Sequence, residues 1–263
     1  MNEEDTGRRL PSRRVADGLR SAIAAGELAE GEKLPSERAL ADRFGIARNT
    51  VREAVRLLSE EGLVDVRHGR GVFVRRRRRL LRFGGARYSR TTRQETGLSP
   101  YRAELAEQGL TPRVECTSIE RVAPPADVAE RLGATTDAPS VVRRENWYFA
   151  SDGTEEYPVQ VGVTYIPWEV ADGSVLATSA DLGRESLYGR FEERGHRISR
   201  SREEVSARMP TPQEASGLRI PAGVPVLEVL HTGIDHNGLP FEVTRFTMRA
   251  DLGGLDYDMP IED

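Results

Sequence analysis

Cysteine is nearly absent: Cys116 is the only one in 263 residues. An intramolecular disulfide is excluded, which suits a reducing compartment. No Cys/His cluster has the spacing of a zinc site, and His196, His231 and His236 have no convergent partners in the sequence and read as surface or strand residues. No apolar run approaches the ~18–20 residues of a membrane span. The first residues, MNEEDTGRRLPSRR, are acidic and then basic without an apolar core, so they do not read as a signal peptide. No internal repeat is visible. These absences predict a soluble cytoplasmic protein with no membrane partner, no metal and no cofactor.

The net charge of −4 conceals an uneven distribution. Residues 1–82 hold 19 Lys and Arg against 13 Asp and Glu, hence +6, while the remainder holds 19 against 29, hence −10. A basic head on an acidic body is the distribution expected of a DNA reader joined to a domain that stays off the duplex. The length allows one large domain or two modest ones, each with a real core.

The head is organised around residues 34–74, LPSERALADRFGIARNTVREAVRLLSEEGLVDVRHGRGVFV. Val51, Ala54, Val55 and Leu58 recur at i, i+3, i+4 and i+7, one apolar helix face. Arg48, Asn49, Arg52, Glu53 and Arg56 fall on the other side, where Arg can fork onto guanine and Asn onto adenine in a major groove. A shorter helix precedes it over about 36–44, with Ser36 as N-cap and Leu40 and Phe44 as its apolar pair. Gly45 sits in the turn. A first helix over 14–25 carries the stripe Val15, Leu19, Ala22 and Ile23, and Gly26 ends it. Residues 63–66 and 72–74 read as strands around Arg67-His68-Gly69-Arg70-Gly71, a basic glycine-rich wing. The plainer reading is a helical subdomain with a solvated Arg face; helix, turn, basic helix and basic wing in this order favour DNA.

This segment resembles the winged helix–turn–helix of GntR-type bacterial transcription regulators, whose pattern is met almost throughout from Gly26 to Val74. The resemblance implies DNA contacts from Arg38, from Arg48, Asn49, Thr50 and Arg52, and from His68, Gly69 and Arg70. One departure is Ala47, where the family often has Ser or Thr; Ala cannot cap a helix through its side chain, so Asn49 or water would take that role.

Five arginines follow at 75–79, either a solvated linker or an arm along the DNA backbone or minor groove. The expected division is a winged head over 10–75, a basic linker over 76–97 and an effector-binding domain over 98–254. The second half reads as strands at about 113–122, 141–150, 157–166, 197–207, 226–235 and 239–249. Helices are expected at about 100–108, 125–132, 186–194 and 212–218. Asn237-Gly238 and Asp152-Gly153 mark hairpin turns. Consecutive antiparallel strands with a few helices make an α+β domain.

Val141-Val142-Arg143-Arg144, Pro158-Val159-Gln160, Thr164-Tyr165-Ile166-Pro167, Ser186-Leu187-Tyr188, the run PAGVPV at 221–226 and Gly238-Leu239-Pro240-Phe241-Glu242 resemble the effector domain of the HutC branch of that family, similar in fold to chorismate lyase. The resemblance covers roughly 98–251 and implies a UTRA-type small-molecule sensor. In branch members that sense sugar phosphates, a hydroxyl and backbone N–H groups before the first helix hold the phosphate with two strand arginines. Ser99 matches the hydroxyl, Ser186 and Tyr188 match a Ser-x-Tyr at a helix start, and Glu242 matches a glutamate of the last hairpin. Arg144 and Thr164 complete the expected effector set. Counting back from Phe149, the arginine pair falls on Asn146 and Tyr148, which argues for a neutral or mixed polar ligand, with Trp147 and Tyr148 flanking it. Each has a plainer reading: Ser186 as an N-cap, the aromatics as core, Glu242 as a partner of Arg245.

The function expected is a ligand-responsive repressor that binds a palindromic double-stranded operator as a homodimer. An enzyme on a lyase-like fold is the competing class, but no nucleophile–base pair or phosphate loop is present. A nonspecific DNA binder leaning on the arginine run is the third.

Overall fold

The computed structural model describes residues 10–67, 69–75, 80–183 and 186–259. The chain divides into two compact units, residues 1–78 with 220–224 and residues 79–219 with 225–263.

The first unit opens with α1 (Pro11–Ala24), where Pro at the helix start costs no hydrogen bond because that N–H is free anyway. Next comes α2 (Glu37–Phe44), capped by Ser36, whose hydroxyl accepts from the Ala39 N–H. Gly45 then adopts φ 64°, a left-handed conformation that turns the chain into α3 (Arg48–Glu60). The N-cap of α3 is Ala47, without a side-chain cap bond. The apolar face anticipated for α3 is buried: Val51, Ala54, Val55 and Leu58 pack with Val15, Leu19, Leu34 and Leu40. The wing is an antiparallel pair, β1 (Val64–Arg67) and β2 (Gly71–Val74). Residues before α2 extend it, since the Leu34 N–H donates to Val72 O at 2.8 Å and the Val74 N–H to Glu32 O at 2.8 Å.

The second unit begins earlier than expected. Residues 80–97, read from their composition as linker, form β3 (Leu80–Phe83), a short 3-10 turn (Gly85–Tyr88) and α4 (Arg90–Thr96). β3 pairs in parallel with β10 (Gly253–Asp256), a strand the sequence did not announce. Arginine-rich composition hid the segment, because its arginines are satisfied inside the fold: Arg82 and Arg93 are buried on Glu203 and Glu192. Arg75, expected to start a solvated run, is also buried, with Nε 2.9 Å from Asp65 Oδ1. Residues 76–79 lie outside the described residues.

After α5 (Pro100–Glu107) come β4 (Thr111–Val122), α6 (Ala126–Leu132), β5 (Val141–Ser151) and β6 (Glu156–Pro167). The short helices α7 (Trp168–Ala171) and α8 (Val175–Thr178), absent from the sequence reading, precede α9 (Ser186–Glu193). The unit continues through β7 (Ile198–Arg208), α10 (Pro212–Gly217), β8 (Val226–Asp235) and β9 (Pro240–Arg249). Six strands form one antiparallel sheet in the order β4-β5-β6-β9-β8-β7. The Asn-Gly turn is not a two-residue hairpin: Gly238 alone has positive φ (81°), and Asp235 Oδ1 accepts from the N–H groups of Asn237 and Leu239. Aliphatic residues of β5, β6 and β9 pack with Val128 of α6, while Phe191 of α9 packs with Val142, Ile166 and Phe241. Among the described residues no helix is long and apolar enough to cross a membrane.

Candidate DNA-reading face and effector cavity

Helix α3 turns its apolar stripe inward, so its remaining residues are displayed. Arg48, Asn49 and Arg52 are exposed and Thr50 is half-buried. Arg52 Nε donates to Glu37 Oε2 at 2.8 Å, which ties one edge of its guanidinium to α2. Arg56, in contrast, is engaged by Glu53 and Glu60 of its own helix. Arg38, Gly69 and Arg70 are exposed as well. His68, the remaining wing candidate, lies outside the described residues.

In the second unit, sheet register brings together residues far apart in sequence. Thr164 of β6 pairs with Thr244 of β9, Thr244 with His231 of β8, and His231 with Glu203 of β7. Neighbours across strands project from the same face, so these four form one transverse row, and Glu242 joins it two residues from Thr244. The row is a closed polar network. His231 is fully buried, with Nδ1 2.9 Å from Glu203 Oε1 and Nε2 3.0 Å from Glu242 Oε1. Tyr188 donates to Glu242 Oε1 at 3.0 Å, and Thr244 donates to Glu242 Oε2 at 2.7 Å. Tyr88 stacks on the His231 ring at 4.9 Å and places its hydroxyl 3.2 Å from Nδ1. Arg82 pairs with Glu203 from β3.

Burial works against a charged His231, but the carboxylates of Glu242 and Glu203 outweigh it and raise its pKa. Burial likewise opposes ionised Glu203, yet its hydrogen bond to His231 and the charge of Arg82 hold its carboxyl far below the usual range. Burial pushes the phenols of Tyr88 and Tyr148 up to about 12. The network is thus an imidazolium clamped between two carboxylates. It is a means of fixing shape and charge, with no nucleophile beside it.

Next to this network lies a cavity of about 50 Å³, lined by Ser99, Tyr148, Thr164, Tyr188 and Glu242 from the expected set. The same cavity is lined by Arg87, Tyr88, Tyr101, Leu187, Phe191, Thr244 and Phe246, which sequence reasoning missed. Two expected members are elsewhere. Arg144 is fully buried and donates to Leu176 O at 2.6 Å and Ser179 O at 2.8 Å, tying down the loop around α8. Asn146 is buried on the same face of β5 but does not line the cavity. The side chain of Ser186 lies outside the described residues. Trp147, expected as a flank, packs against Gly217 and donates to Glu145 at 3.0 Å. By strand alternation it leaves the cavity side to Tyr148. Glu242 is not the partner of Arg245, which pairs with Asp127.

His231 was the largest omission: far from lacking partners, it is the centre of the row. The signal was present as Glu203, His231 and Glu242 on three predicted strands, but only the β7-β8-β9 order and register align them. The cavity is also not free of cations. Arg87 comes from the stretch read as linker, so counting along β5 could not reveal it. Among the described residues no group of His, Cys, Asp and Glu is arranged to hold a metal ion.

Known proteins agree with this division. Residues 11–74 match the family described as bacterial regulatory proteins, gntR family, and residues 107–252 match the UTRA domain. The chain is 30% identical over 252 residues to the HTH-type transcriptional regulator Rv0792c of Mycobacterium tuberculosis, spanning 95% of this chain and 86% of that protein. It is 28% identical over 238 residues to the HTH-type transcriptional repressor NagR of Bacillus subtilis, spanning 90% and 89%. The crystal structure of PhnF from Mycobacterium smegmatis shares the fold, with a TM-score of 0.58 at 23% identity over 94% of this chain and 100% of that one. These relatives are regulators, not enzymes. The chain belongs to the GntR family of bacterial transcriptional regulators and joins its DNA-binding domain to a ligand-responsive UTRA domain.

Proposed function

We propose that this regulator is a cytoplasmic repressor that binds a palindromic operator as a homodimer and changes its grip on DNA when a small molecule occupies the cavity. The observation that carries the reading is the division of α3, with Val51, Ala54, Val55 and Leu58 buried and Arg48, Asn49 and Arg52 displayed. In this reading Arg52 and Asn49 read bases. Arg38, Arg48, Thr50, Gly69 and Arg70 hold the backbone, with His68 beside them in the wing. The DNA-reading head is residues 10–75, and the sensing body includes 80–97. A homodimer places two such heads on a two-fold-symmetric site, because protein symmetry imprints on the operator. The relative named as a repressor supports the sign of regulation.

Ser99, Tyr148, Thr164, Tyr188 and Glu242 contact the effector in this reading. The effector works by binding the DNA-competent and DNA-incompetent arrangements with unequal affinity, since equal affinity shifts nothing. Selection of duplexes from a randomised pool by the full-length chain, followed by mass measurement of the complex, tests the proposal. The expected result is one palindrome and two chains per duplex. An asymmetric site, or one chain per duplex, sinks the dimeric reading.

A further inference from the structure

The effector's chemical class follows from atoms that the cavity leaves unsatisfied. The Arg87 side chain is 4% exposed, and its Nη2 lies 3.2 Å from Glu104 Oε2. Its Nε and Nη1 are buried without a hydrogen-bond partner among the described residues. Buried guanidinium donors left unpaired are costly, and Arg87 lines the cavity. On the same cavity lies Ser99, the N-cap of the eight-residue helix α5. Ser99 is 6% exposed, and its hydroxyl makes no capping bond. A helix N-terminus, an uncommitted hydroxyl and two free guanidinium nitrogens therefore converge on one small space, a donor set suited to an oxyanion.

Charge and size narrow the oxyanion. Glu104, Glu203 and Glu242 face Arg82, Arg87 and His231, so a protonated His231 brings these six groups to formal balance. One added negative charge meets the free donors of Arg87; a second would face three buried carboxylates. The volume of about 50 Å³ accommodates a few waters or a carboxylate group. Tyr101, Tyr148, Leu187, Phe191 and Phe246 make the rest of the wall aromatic or aliphatic.

Resting on the reading of this cavity as the effector site, we propose that the effector is a monocarboxylate with an apolar body, its carboxylate seated between Arg87 and Ser99. Bodies larger than the present cavity enter as Tyr88 gives way from its stack on His231.

The test is thermal unfolding of the full-length protein at constant ionic strength, with acetate, butyrate and benzoate against their neutral amides and against inorganic phosphate. Ligands that bind only the folded state raise the midpoint in a saturable way. The expected result is protection by the carboxylates well above that of the amides or phosphate. Arg87→Met should weaken it at least tenfold and Ser99→Ala several-fold. Ser99→Ala removes one buried hydroxyl and keeps the test alive should Arg87→Met fail to fold. Equal protection by amides and carboxylates, protection by phosphate through the same two residues, carboxylate protection indifferent to both substitutions, or none at all overturns the carboxylate class. The cavity reading falls separately, if a compound that alters DNA affinity is insensitive to Glu242→Gln and to Tyr188→Phe.

Discussion

The two units treat positive charge in opposite ways. In the head, Arg38 and Arg52 are 78% and 63% exposed, and their partners are exposed carboxylates of neighbouring helices or turns. In the body, Arg82 and Arg87 are 3% and 4% exposed and are matched to buried Glu203 and Glu104. Exposed pairs contribute little to stability and are readily exchanged, which is what a surface that must trade carboxylates for phosphates and bases requires. Buried pairs cannot be exchanged cheaply, because removing one partner strands the other in a low-dielectric interior. The same residue type thus serves recognition in one unit and shape in the other.

The contrast is sharpest at matched glutamates. Glu203→Ala leaves Arg82 and His231 without their shared carboxylate and should destabilise the body by about 3–5 kcal/mol. Both tryptophans, Trp147 and Trp168, belong to the body, so fluorescence during denaturation reports that unit alone. A change well under 1 kcal/mol would mean that the network is far less confined than its geometry implies.

Acidity separates the units next. The folded pKa of His231 is raised, so its contribution is complete below the unfolded value of about 6.5 and is lost as pH rises through the folded value. That of Glu203 is lowered, so its contribution is present above the ordinary carboxylate range and is lost as pH falls through the folded value. The body should therefore be most stable between the two. His231→Gln should flatten the alkaline limb of a fluorescence-detected stability profile, whereas an unchanged profile would remove His231 from the account. The described part of the head contains no histidine, so its own profile should lack that limb.

Smaller effects are expected on the head. Ser36→Ala deletes the cap of α2 and should cost about 1 kcal/mol, read by circular dichroism of the full chain with fluorescence unchanged. Glu53→Gln, at an exposed pair on α3, should leave stability within error. A large loss there would break the distinction between displayed and buried charge.

The head was legible because its information is local. The stripe of α3, the Ser36 cap and Gly45 in a left-handed turn are each decided within a few residues. The body's strands were legible from alternation, and their order placed Tyr148, Thr164 and Glu242 on one cavity. What stayed hidden was nonlocal. His231 acquires meaning only when the β8 register sets it opposite both Glu203 and Thr244. Arg82 and Arg87 read as linker because a run of arginines is usually solvated, and nothing nearby in sequence announces the carboxylates that bury them. Arg144 erred in the other direction: its place on β5 was right, but the loop around α8 claims its guanidinium.

The most direct test of the account concerns Arg52, the displayed cation on which sequence reading rests. Affinity of the full-length protein should be measured for a selected operator and for a scrambled duplex at the same salt concentration, with wild type and Arg52→Ala side by side. A loss of about 1–3 kcal/mol on the operator, little on the scrambled duplex and no change in unfolding would show that Arg52 reads a base. Equal losses on both duplexes would reduce Arg52 to a phosphate contact and contradict the assignment of α3 as the reading helix.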